Sequence, residues 1–172
     1  MIVPKLYHTA LPKIAPSINC LSGDGFTEIW KRVFTEITFQ AKENDLEIPD
    51  SVARMIQQYT DPYLDLVPHD IVRLVLHELG QFYMLLVIID EFDAIESKPT
   101  RRAMADLIKF LSDRSTPATI ILIGVAEDVT DLVENHRSIE RCLCQIQLPR
   151  MSRDELETIV TKGLSECEMT IE

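Results

Sequence analysis

A chain of 172 residues, 46% hydrophobic and 26% charged, can bury one sizeable core and has the composition of a soluble globular domain. Lys and Arg total 17 against 28 Asp and Glu, and the resulting charge of −11 excludes an overall electrostatic footprint for nucleic acid or an acidic membrane, leaving nucleic acid only an indirect role. No apolar run approaches the roughly 20 residues of a membrane-spanning helix, and Pro4 and Lys5 interrupt the start where a signal peptide is apolar, so the chain reads as cytoplasmic.

In chain order, residues 1–16 carry Pro4, Pro12 and Pro16, which forbid a regular helix and disfavour a central strand, so this stretch reads as an arm. Ser17-Ile18-Asn19-Cys20-Leu21 fits a short strand, and Ser22-Gly23-Asp24-Gly25 a turn. That turn is no phosphate loop, because Phe26 and Thr27 follow it where Gly-Lys-Ser/Thr would be required. Phe26, Ile29, Trp30, Val33, Phe34 and Ile37 recur at helical spacing and predict an amphipathic helix over 27–41 with Trp30 in the core. Pro49-Asp50 opens a second helix striped by Val52, Met55, Ile56 and Tyr59. Pro68-His69-Asp70 opens a third, which Gly80 is expected to end as a C-cap.

Met84 to Ile89 is an aliphatic run that breaks into Asp90, Glu91 and Asp93, the pattern of a buried strand surfacing at an active edge. Thr100 is expected to cap a helix carrying Ala103, Met104, Leu107, Ile108 and Leu111. Residues 119–125 then form a second β-branched run, again leading into acid at Glu127 and Asp128. Two such strands separated by one helix make a βαβ unit, which delivers both acidic ends to one edge of a parallel sheet, where ligands of open α/β sheets bind. Asp128 is read as the cap of the next helix, and Cys142 to Leu148 alternates like a strand with one wetter face. Ser152 and Glu155 form a capping box for a last helix bearing Leu156, Ile159, Val160 and Leu164.

Cys20, Cys142, Cys144 and Cys167 match neither a disulfide framework nor zinc pairs and are read as buried free thiols. The dispersed His8, His69, His77 and His136 give no support to an imidazole metal site.

The apolar strand ending in Asp90-Glu91 resembles the Walker B element of AAA+ ATPases and their STAND relatives, and the resemblance to bacterial ATP-binding proteins of that type extends over nearly all of the chain from Ser17. It runs through Leu111-Ser112-Asp113, Ile123-Gly124-Val125-Ala126-Glu127 and His136-Arg137-Ser138-Ile139-Glu140-Arg141. It implies an α/β, three-layer, mostly parallel P-loop NTPase-like sandwich, divided into an arm (1–16), a partial AAA+-like core (17–149) and the start of a helical lid (150–172). ATP and Mg²⁺ are the cofactors it implies, with Asp90 as magnesium ligand and Glu91 as the base that activates water. Glu127 lies where the family keeps its sensor 1 polar residue, an acid in place of Asn or Thr. Arg141, with Arg137 in reserve, resembles the arginine that AAA+ subunits extend into a neighbour's site.

One departure bears on all of this. None of Gly23, Gly25, Gly80, Gly124 and Gly163 opens a G-x-x-x-x-G-K-[ST] loop. The first strand and P-loop helix are therefore expected to be missing, which leaves two strands without a neighbour unless they pair directly, the residues 1–6 fill the gap, or another chain does. A homo- or hetero-oligomer, or a partner completing the sheet, is the expected assembly. The function implied is an ATP-binding and hydrolysing domain present as a truncated or split piece and inactive alone, with weak or absent binding of ATP. The alternative is a non-catalytic interaction module derived from such an ATPase.

Overall fold

The computed structural model describes residues 11–125 and 142–169. In chain order these form β1 (Lys13–Ile14), β2 (Ser17–Asn19), α1 (Phe26–Glu43), α2 (Asp50–Tyr59), α3 (His69–Gly80), β3 (Met84–Asp90), α4 (Lys98–Asp113), β4 (Ala118–Leu122) and α5 (Arg153–Glu166). The sheet is open and all its strand pairs are parallel. β3 is its centre, with β4 along one edge and β1 and β2 one after the other along the opposite edge.

β1 and β2 behave as one strand with a missing rung. Lys13 stands opposite Met84 and Ser17 opposite Ile88, a single register carried across the gap. The gap falls at Pro16, whose carbonyl accepts from the Ile88 N–H at 2.8 Å but which has no N–H to return. Strand pairing thus begins inside the stretch read as an arm, and prolines at Pro12 and Pro16 are tolerated because the strand lies at an edge. The outward-facing backbone of Ala15 is satisfied by α1: its N–H donates to Gln40 Oε1 at 2.9 Å, and Gln40 Nε2 donates to its carbonyl at 2.9 Å.

Side chains alternate along β3. Leu85, Val87 and Ile89 are buried, while Met84, Leu86 and Ile88 on the other face are not. The buried set joins Ile14 and Ile18 from the edge strand and the apolar stripes of α1 to α4, including Trp30, Phe34, Val52, Leu76, Met104 and Leu107, in one core cluster. Each such large side chain, once fully buried, contributes about 1.5–3 kcal/mol. The chain steps from β2 to β3 to β4 in one direction across the sheet, and right-handed crossovers in one direction place their helices on one face. The opposite face, with Met84, Leu86, Ile88, Thr119 and Ile121, contributes no member to the core cluster.

The helices follow their patterns with instructive differences. α4 starts earlier than Thr100: Ser97 is the N-cap, its Oγ accepting from the Thr100 N–H at 3.3 Å, and Pro99 occupies the first turn, where a missing N–H costs nothing. Gly80 does not act as a left-handed cap, since no described glycine has positive φ; it is the last residue of α3, and a Cβ there would lie 2.2 Å from the Pro117 carbonyl oxygen. Its small size lets α3 touch the chain entering β4.

Two expectations fail around β4. Cys142 to Leu148 is not a strand: residues 143–150 have no regular structure, and Ile146 and Leu148 are exposed. A strand needs a hydrogen-bonded neighbour, and among the described residues nothing pairs with the outer edge of β4. For the same reason β4 is half-exposed where a buried run was expected, with Ile121 37% and Ile123 42% exposed. α5 keeps the predicted capping box, but none of its residues is buried. Of the cysteines only Cys20 is buried; Cys142 is half-buried, Cys144 and Cys167 are exposed, and among the described residues no disulfide forms.

Candidate functional site

Asp90 ends β3 at the carboxyl edge of the sheet, in register with Asn19 of β2. Its carbonyl accepts from the Cys20 N–H at 2.8 Å, which ties the end of β3 to the end of the edge strand. Asp90 Oδ1 accepts from the Glu91 N–H at 2.7 Å, leaving Oδ2 without a hydrogen bond among the described residues.

Glu91 is exposed and left-handed, at φ 54° and ψ 35°. For a residue with a Cβ this conformation costs roughly 1–2 kcal/mol and persists only where its surroundings hold it. They do so on both sides. Asp90 is fixed in the sheet, and Phe92, buried, opens a 3₁₀ turn over Phe92–Ala94 whose first N–H donates to the Ile123 carbonyl at 2.9 Å. The Ile123 N–H in turn donates to Ile89 at 2.9 Å, so β3, β4 and the turn are locked together just past the last strand residues. Buried Ile95 anchors the far end, and Arg101 of α4 donates from Nε to the Ile95 carbonyl at 2.5 Å and from Nη2 to the Asp93 carbonyl at 3.2 Å.

A second layer stands on the α1 side. Arg32 pairs with Asp24 and donates from Nη1 to the Asn19 carbonyl at 2.9 Å, while Asp24 Oδ2 accepts from the Leu21 N–H at 2.7 Å. Cys20 reports the charge that converges here. Burial pushes its thiol up to about 11, and Asp24, Asp90 and Glu91 push in the same direction against the opposing field of Arg32. The thiol is neutral and unreactive at physiological pH.

The site is an open edge. Two clefts of about 270 and 280 Å³, one between α3 and α4 beside His69 and Phe110 and one at the foot of β3 and β4 beside Leu11 and Pro117, include neither Asp90 nor Glu91. Among the described residues no three His, Cys, Asp or Glu side chains are grouped to hold a metal by themselves. A lone carboxylate at a strand end suits Mg²⁺ all the same, because that ion keeps several waters and is bound through one or two carboxylates plus substrate phosphates.

The model of the family described as "ATPase family associated with various cellular activities (AAA)" matches residues 51–150, more than half of the chain. The chain belongs to the AAA family. No curated protein and no solved structure matches it. The AAA match takes in Asp90 and Glu91 and agrees with the mostly parallel α/β sheet; β1, β2 and α1 precede it. AAA domains generally bind ATP with Mg²⁺.

Of the site residues expected from sequence, the AAA fold places Asp90 and Glu91 side by side at the edge. Glu127, Arg137 and Arg141 lie outside the described residues. Sequence reasoning missed Asn19, Arg32 and Arg101. Asn19 was legible as part of a short strand expected over 17–21, but that the strand ends there and pairs with Asp90 depends on register, and Arg32 and Arg101 sit in ordinary helical charge patterns that carry no signal of what their guanidinium groups hold. No helix of the described AAA residues is long and apolar enough to cross a membrane.

Proposed function

We propose that this AAA domain supplies the metal and water side of an ATP-hydrolysing site, and that a phosphate-binding strand, loop and helix from outside the given sequence complete it beside β4. The observation that carries the reading is the pair Asp90 and Glu91 at the carboxyl end of the central strand, within the stretch matched by the AAA family. Asp90 would hold Mg²⁺ through Oδ2 and bridging water, and Mg²⁺ when bound neutralises phosphate charge. Glu91, exposed just past the strand end, would accept the proton of the attacking water. Asn19, opposite Asp90 in the register, would orient water at the same edge. Most of the backbone donors that face phosphate would come from the added loop, so the chain by itself should bind Mg-ATP weakly.

A non-catalytic interaction role is the second reading, and the exposed apolar edge of β4 favours it. The experiment joins the strand, G-x-x-x-x-G-K-[ST] loop and helix of an AAA protein to this chain and follows thermal unfolding with Mg-ATP. At 100 times the dissociation constant, binding stabilises by about 2.7 kcal/mol. Glu91→Gln is expected to keep that shift and abolish hydrolysis, and Asp90→Asn to remove its magnesium dependence. A completed chain that ignores Mg-ATP, or hydrolysis indifferent to both substitutions, refutes the catalytic reading in favour of the second.

A further inference from the structure

We propose that the loop between α2 and α3, residues 60–68, is a docking element for an arginine-bearing polypeptide segment of another protein, with Tyr63 as its anchor and Asp61 and Asp65 as its charged rim. The inference stands on this loop and is independent of the ATPase reading.

The loop is built to hold one shape. Asp61-Pro62-Tyr63-Leu64 is a turn closed by the Leu64 N–H on the Asp61 carbonyl at 3.1 Å, with proline in the second position, where its fixed φ suits a turn. Asp61 Oδ1 accepts from the Tyr63 N–H at 2.9 Å. On the α1 side, Lys31 Nζ donates to the Asp61 carbonyl at 2.9 Å and also to the Leu64 carbonyl, so one ammonium clasps both ends of the turn. Farther along, Val67 is fully buried and its N–H donates to Thr27 Oγ1 at 3.1 Å, while the His69 ring lies against Phe26 with centroids 4.2 Å apart. Phe26, Thr27 and Lys31 of α1 thus hold the loop along its length.

What this frame displays is not what the fold needs. Tyr63, third in the turn, is 93% exposed, and Leu66 is 63% exposed. The third position of a turn asks for no large ring. A ring carried on a fixed backbone can be covered by a partner with little ordering cost left, and tyrosine is prominent among the residues that dominate interfaces.

Charge selects the occupant. Between Arg54 and Arg73 the sequence holds Asp61, Asp65 and Asp70, all exposed, and no Lys or Arg, while the ammonium of Lys31 is turned onto the carbonyls of the loop. Such a rim repels phosphate backbones, anionic lipid surfaces and a second copy of a chain with net charge −11. A guanidinium is attracted twice, by the open face of the Tyr63 ring and by a neighbouring carboxylate. Arginine suits this pair of contacts better than lysine because its planar head stacks and is more weakly hydrated. One ring and one leucine make a small contact, so the association is a transient one. Lys31 and Arg32 are consecutive, one clasping the loop and the next donating to the Asn19 carbonyl, so the docking element is mounted on the helix turn that also holds the strand end beside Asp90.

The test selects binders to the whole chain from a random library of short displayed peptides, with the Tyr63→Ala chain as counter-selection. Peptides that require Tyr63 are expected to be enriched in arginine over the starting library, with an apolar residue close by. One of them, titrated into the whole chain and followed by NMR, should shift the backbone amides of Tyr63, Leu64, Asp65 and Leu66. Its affinity should fall about tenfold in Tyr63→Ala and again in Asp65→Lys, the loss typical of an interface anchor. Both positions are exposed, so circular dichroism should be unchanged in each variant. A selection that yields no Tyr63-dependent peptide, enrichment of acidic or purely apolar peptides, or amide shifts confined to other parts of the chain overturns the proposal. A concentration-dependent dimer that Tyr63→Ala abolishes would overturn it too, giving the loop to a second copy.

Discussion

Gly80→Ala tests how β4 is held in place. The new methyl would lie 2.2 Å from the Pro117 carbonyl oxygen and 2.7 Å from Pro117 Cγ, and the nearest of these is backbone that cannot rotate aside. Ala is the better helix residue by about 0.8–1.0 kcal/mol, which favours the variant. Forcing a methylene or methyl into a closely packed contact costs about 1–3 kcal/mol, and a contact this short with main chain falls toward the upper part of that range. The net expectation is a loss of about 1–2 kcal/mol, felt as α3 pushing the entry of β4 away from β3. Trp30, the single tryptophan and fully buried, makes the assay direct: urea unfolding followed by its fluorescence. With a slope of roughly 2 kcal/mol per molar urea, the midpoint should fall by about 0.5–1 M. Gly163→Ala is the control, because nothing lies within 4 Å of a Cβ there and α5 buries nothing against the core. A Gly80→Ala midpoint equal to or above that of the parent chain would show that the α3 to Pro117 contact yields freely, and the reasoning would fall.

The remaining predictions concern the edge itself. The folded Cys20 thiol is raised from 9.0 to about 11, so its contribution to stability is complete below the lower value and is lost as pH climbs through the folded one. Against a Cys20→Ala reference, the parent chain should lose on the order of 1–3 kcal/mol between pH 9 and 11, and parallel curves would contradict this. At pH 8 the native thiol should resist a thiol reagent that Cys144 and Cys167 accept, a difference that unfolding erases. Arg101→Ala removes the charged donor from the Asp93 and Ile95 carbonyls and should cost about 1.5–3 kcal/mol, with faster amide exchange at Ala94 and Ile95; if exchange there is unchanged, the buried Phe92 and Ile95 side chains hold the turn unaided.

Much of this was readable beforehand because it is set by periodicity. The stripes of α1 to α4, the burial of Trp30 and the parallel β3 and β4 pair follow from residues that a local window contains. What was misread depends on neighbours. Cys142 to Leu148 has the alternation of a strand, yet alternation supplies no hydrogen-bonding partner. Gly80 stands where helices often end in a glycine, but the reason for it is Pro117, 37 positions away in sequence. That Asp90 and Glu91 end the central strand was legible because acid abruptly ending an aliphatic run is a local signal; the contacts of Asn19 and Arg101 were not, because a register and a guanidinium fork are written only in three dimensions.

The backbone at Glu91 carries a consequence for how this position should be regarded among substitutions. Gly or Asn would sit at φ 54° with less strain than glutamate, so a position kept only for the fold would gain stability by changing. Glutamate there is the locally inferior choice for folding, next to an aspartate at the end of the central strand. On the proposed ATPase reading, stability and chemistry pull in opposite directions at this one residue, and variants selected for robustness alone should drift first at Glu91, leaving the buried Phe92 beside it untouched.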